Sequence, residues 1–169
     1  RLEKCQSYCR RLEDCCQDNE WVTTALRLTE MLFWQDEEAA WKFLIPQYVA
    51  GLAYSTDLLR GLLNTARKRE TDLSPRGKAR LKKLAVKTAW QATADEEAAL
   101  LDELEQLARL GWLAGDQAAE RGAILTLERA WWLRRARRHP EALAALRRVE
   151  AGLPASGVRL PMHLAEAQK

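Results

Sequence analysis

Four cysteines crowd the first sixteen residues, RLEKCQSYCRRLEDCC, and thiolates are the best metal ligands this chain owns. A structural zinc needs four ligands converging from tetrahedral directions. One straight helix cannot aim Cys5, Cys9, Cys15 and Cys16 at a single point. Leu2, Cys5, Cys9, Leu12 and Cys16 instead follow alternating steps of three and four, so the thiols read as small hydrophobes on a heptad seam. A vicinal Cys15–Cys16 bridge would be strained, and nothing is stapled between distant segments. Unpaired cysteines favour a reducing compartment, and the expected location is the cytoplasm.

Other reactive groups are sparse. Only His139 and His163 are present, and neither stands in the repeated carboxylate–histidine spacing of a metal-binding helix bundle. No glycine-rich phosphate loop occurs. The acid pairs Glu37–Glu38 and Glu96–Glu97 each open a helix, where the positive end of the helix dipole explains them. No serine or cysteine nucleophile carries a supporting signature. The expectation is a non-enzymatic protein with no cofactor and no metal.

Charge offers a different chemistry. Residues 67–87, RKRETDLSPRGKARLKKLAVK, hold nine Lys or Arg against two acids. Cations on one face release counterions when they meet a nucleic-acid backbone. No aromatic interleaves with them to stack on bases, so a solvated helix face is favoured and nucleic-acid binding, with help from the Arg134–Arg138 cluster, is the alternative. The formal charge of +3 is well short of a dedicated nucleic-acid binder. Residues 95–105, DEEAALLDELE, carry six acids and no base, and the two stretches are of opposite sign.

Seven tryptophans supply the remaining recognition chemistry. Trp131 and Trp132 are neighbours on a helix and point about 100° apart. If one fills the core, the other borders a groove. Arg134, Arg135 and Arg138 extend that helix as a cationic rim suited to a carboxylate-bearing partner. With Trp112 they form the candidate partner-binding set.

Helices must position these residues. Ala, Leu, Arg and Glu dominate, and no alternating β-branched run appears, so the chain is all-α. The organising segment is residues 116–138, DQAAERGAILTLERAWWLRRARR, apolar on nearly every side at its centre and so packed from more than one direction. Before it, helices are expected over about 2–17 and 20–34, the latter with Trp21, Ala25, Leu28 and Leu32 on one stripe. Asp36 caps a third helix, which Pro46 kinks or breaks near Leu44 to Ile45 before an apolar face runs on to Arg67. Ser74–Pro75 opens a helix over about 75–92. Thr93 to Glu96 is a capping box for a helix closed by Gly115. Pro140 opens a last helix to about 151, with Ala142, Leu143, Leu146 and Val149 inward.

About seven helices in 169 residues, 47% of them hydrophobic, fit one domain. Residues 1–69 form N-terminal hairpins, 70–92 a basic linker and helix, 93–154 a second helical set, and 155–169 a tail. The apolar run at 43–54 is too short to span a bilayer. The sequence begins at Arg1 without Met, so we expect an upstream segment with room for a signal, an anchor or another domain.

The last third resembles the tetratricopeptide repeat family. In LARLGWLAGDQAA (107–119) the order of Leu, Leu-Gly, small residue, Gly-Asp and Ala looks like the first helix and turn of such a repeat. In HPEALAALRRVEAGLP (139–154) Ala142, Leu146 and Pro154 are similar to its second helix. The resemblance implies a solenoid of antiparallel helical hairpins with a concave protein-binding face; a plain multi-helix bundle is the other architecture. The function expected is a scaffold or adaptor that binds a partner protein along a groove between hairpins.

Overall fold

A computed structural model describes residues 18–89, 91–115 and 117–152, with the side chains of residues 18, 19 and 152 excepted. The cysteine-bearing stretch, Trp90, Asp116 and the tail expected at 155–169 lie outside the described residues. Every described regular element is helical. The chain divides into two compact units, Arg1–Thr88 and Ala89–Lys169.

In the first unit, α1 (Asp18–Gln35) packs on α2 (Glu37–Tyr54) and α3 (Thr56–Arg67), while α4 (Pro75–Leu84) and a 3-10 turn (Ala85–Thr88) lie against α3. The stripe Trp21, Ala25, Leu28 and Leu32 is buried as its spacing predicts. Asp36 caps α2 by accepting from the backbone N–H groups of Glu38 (2.8 Å) and Ala39 (3.3 Å). Pro46 lies inside α2, which runs unbroken past Leu44 and Ile45. A proline inside a helix costs about 3 kcal/mol, through the hydrogen bond it cannot donate and the clash of its ring with the carbonyl four residues back. Ten buried residues along α2, among them Trp41, Leu44, Ile45, Tyr48 and Val49, offset it, because α1 and α3 both grip this helix.

The chain turns at Ser55 instead. Its hydroxyl accepts from Leu58 N–H (3.2 Å), opening α3, while its own N–H reaches back to the Gly51 carbonyl (3.1 Å). Ser74 and Pro75 start α4 as expected, with the Ser74 hydroxyl accepting from Gly77 N–H at 3.1 Å. The helix is shorter than the 75–92 expected. At its end the buried Tyr48 hydroxyl donates to the Leu84 carbonyl (2.7 Å), and the backbone tightens into the 3-10 turn.

The second unit holds α5 (Ala94–Arg109), α6 (Ala118–Arg135) and α7 (His139–Gly152). Thr93 and Glu96 form the capping box: Glu96 N–H donates to the Thr93 hydroxyl (3.2 Å) and Thr93 N–H to the Glu96 carboxylate (2.9 Å). Leu100, Leu101, Leu104 and Leu107 are buried, and Leu110 is 59% exposed. α5 stops at Gly111, not at the expected Gly115. Gly111 has φ of +80°, with Trp112 N–H donating to the Leu107 carbonyl and Gly111 N–H to that of Ala108, both 3.0 Å. Leu110, just before this closure, lies by helical spacing well to one side of the centre of the buried stripe.

α6 is buried along Ile124, Leu125, Leu127, Ala130 and Leu133 and is packed by α5 and α7. It ends earlier than Arg138, at a turn in which Arg137 takes φ of 59°. Ala123 and Leu127 of α6 meet Val149 and Leu146 of α7. Ala142, Ala145 and Val149 face inward, whereas Leu143, expected there, is 49% exposed. Ala145, three residues after Ala142 and four before Val149, takes the inward position: the small side chain lets α7 approach α6 closely. No described helix is long and apolar enough to cross a membrane.

Candidate functional site

A groove of about 490 Å³ opens among α5, α6 and α7. One face of α6 lines it at helical spacing, with Gly122, Leu125, Arg129 and Trp132. Arg109 of α5 and Arg148 of α7 also reach it, as do Arg138, Glu105 and Glu141. Four guanidiniums therefore face two carboxylates, a surplus of two positive charges, or of one once Asp102 is counted at its edge.

Trp132 anchors the wall. Its indole N–H donates to the Ala94 carbonyl at the start of α5 (2.9 Å), and the guanidiniums of Arg129 and Arg138 stand 5.7 and 5.9 Å from its ring centroids. Cations at that range are attracted to the indole face. Arg129 is itself fastened to α5, its Nε donating to Glu105 at 2.9 Å and its Nη2 to Asp102. Burial works against its charge, but these two carboxylates outweigh that and hold the pKa above the ordinary arginine value. Arg138 is bound by Glu141, which raises the arginine's pKa and lowers the glutamate's. Both are exposed, so the pair orients Arg138 and adds little to stability.

The six residues expected to bind a partner do not converge. Trp132 and Arg138 line the groove. Trp131 neither fills the core nor borders the groove: it is 41% exposed on another face of α6, with the Arg134 guanidinium 4.4 Å from its ring centroid. Arg135 is paired with Glu97 of α5. Trp112 is half-buried after the turn that ends α5. Sequence reasoning missed Arg109, Arg129 and Arg148. Arg129 was within reach of it, since it precedes Trp132 by three residues and so shares its face.

The acids of residues 95–105 are used inside the second unit: Glu97 meets Arg135, while Asp102 and Glu105 meet Arg129. In the first unit the basic stretch is divided. Arg80 is 4% exposed, 5.6 Å from the Trp41 ring centroid, whereas Arg76, Lys78, Lys82 and Lys83 lie on the outward side of α4. Among the described residues no group of three His, Cys, Asp or Glu is arranged to hold a metal. No family model matches the chain, and neither the curated proteins nor the solved structures compared with it include a match.

Proposed function

We propose that this chain is a non-enzymatic, protein-binding helical module of the tetratricopeptide-like kind, an adaptor whose α5–α7 groove takes a segment of a partner protein. The observation that carries the reading is the groove's lining: a half-buried indole beside two guanidiniums, with Arg109 and Arg148 on the flanking helices. Arginine presents a rigid planar fork of donors that matches a carboxylate, and the indole offers a broad apolar surface beside it. The segment that fits is acidic and carries an apolar side chain to lie on Trp132. Four cysteines within the first sixteen residues support a reducing, cytoplasmic setting.

Selection of a random peptide library on the whole chain tests this. Peptides with Glu or Asp beside an apolar residue are expected to be enriched, and Arg109→Glu with Arg148→Glu, both exposed positions that leave the core intact, should abolish that enrichment. An unchanged selection on the double variant, or no enrichment on the parent chain, would overturn the proposal.

A further inference from the structure

A second surface lies in the first unit, independent of the groove. Trp34 lies in the last turn of α1 and is 68% exposed, with Met31 one turn earlier at 46%. The Arg69 guanidinium sits 3.7 Å from the Trp34 ring centroid, flat stacking distance, and is held there by Asp72 at 3.0 Å. Its Nε is buried without an acceptor, so stacking and the Asp72 pair, more than a full set of hydrogen bonds, set its position. Even with Arg69 over the ring, most of the Trp34 side chain stays exposed.

Trp34 is 33 residues from the basic stretch in sequence and touches it in space. The turn that carries Arg69 also receives Lys78, whose Nζ donates to the Thr71 carbonyl at 3.4 Å. Lys78 and Lys82 of α4 and Arg67 of α3 then line a hollow of about 430 Å³, with Glu70 as its acid. Aromatic platform and cationic hollow are thus joined through one turn.

We propose that this surface binds single-stranded nucleic acid, with phosphates along Arg67, Lys78 and Lys82 and a base stacked on Trp34. Cations that track a backbone, beside an aromatic that takes any base, are the two requirements for sequence-tolerant binding of a single strand. A duplex hides its base faces and has no use for the indole. A bilayer asks for several apolar side chains in one plane, whereas the outward side of α4 offers Ala79 among its cations.

The test is fluorescence anisotropy of labelled oligo-dT and oligo-U with the full chain at low salt, with heparin and phosphatidylserine vesicles as competing polyanions. Binding is expected to weaken steeply with added salt. Trp34→Ala, at an exposed site, should weaken oligonucleotide binding about tenfold and leave heparin binding unchanged. Lys78→Glu with Lys82→Glu should weaken both. Oligonucleotide binding that Trp34→Ala leaves intact, vesicle binding without oligonucleotide binding, or no binding to either oligonucleotide would overturn the proposal.

Discussion

A Cβ added to Gly77 would collide with Oε1 of Glu37. That oxygen is where it is because Glu37 accepts from the Ser74 N–H (2.8 Å) and hydroxyl (2.8 Å) and from the Trp41 indole N–H (3.1 Å). A carboxylate on the first turn of α2 is thereby laid across the N-terminus of α4, and only a residue without a side chain leaves it room. The arrangement ties together two helices whose partners are 37 residues apart.

Helix propensity alone says that Gly77→Ala should stabilise α4 by up to about 1 kcal/mol. We expect the opposite sign, a loss of about 1 kcal/mol, because the new methyl displaces a carboxylate held by charge-assisted hydrogen bonds. In a Glu37→Ala background the obstruction is gone, and Gly77→Ala should become neutral or stabilising. Urea unfolding of the four proteins in this cycle measures the coupling. Equal effects of Gly77→Ala in both backgrounds would mean the contact does not matter.

The same carboxylate makes stability depend on pH. Burial pushes the Glu37 pKa up, but the hydrogen bonds from Ser74 and Trp41, with the Arg80 charge, outweigh it and leave the pKa below the usual glutamate value. A carboxyl more acidic in the folded than in the unfolded state contributes its full stabilisation above the unfolded pKa of about 4.3 and loses it as pH falls through the folded pKa. The difference in urea midpoint between the parent chain and Glu37→Gln should therefore be constant between about pH 6 and 8 and shrink below about pH 5. A difference that grows on acidification contradicts the assignment.

Two helix ends in the second unit use one backbone device with different residues. α5 closes at Gly111 with φ of +80°, and α6 closes at Arg137 with φ of 59°, where Arg138 N–H donates to the Leu133 carbonyl (2.9 Å) and Arg137 N–H to that of Arg134 (3.0 Å). The left-handed conformation is strained for any residue with a Cβ. Arg137→Gly should stabilise the protein by about 1 kcal/mol, and Gly111→Ala should destabilise it by a similar amount. Thermal unfolding of the two variants checks the pair, which must move in opposite directions.

Local signals read from the chain were reliable where the partner is three or four residues away. Asp36, Ser74–Pro75 and the Thr93–Glu96 box each start a helix as expected, because a cap satisfies N–H groups within its own first turn. The stripe from Trp21 to Leu32 is buried for the same reason, that helical geometry puts those positions on one side. Helix ends were less legible. Gly111 and Gly115 both have positive φ, and nothing in their neighbours says that the first closes α5.

The candidate site was legible only in fragments. Trp132 and Arg138 line the groove and Trp131 does not, a difference set by where α5 and α7 lie around α6 rather than by residue type. The absence of an aromatic within the basic stretch was read correctly from the sequence, yet Trp34 reaches Arg69 from another helix.

From its own residues, then, the chain specified helices, their starts and their buried stripes, since capping and side-chain periodicity are decided within a turn or two of backbone. Tertiary packing alone decided that α2 continues through Pro46, that Glu37 lies across Gly77, and which arginines share a wall with an indole. Those outcomes are contacts between residues distant in sequence, and their energies exist only once the helices have met.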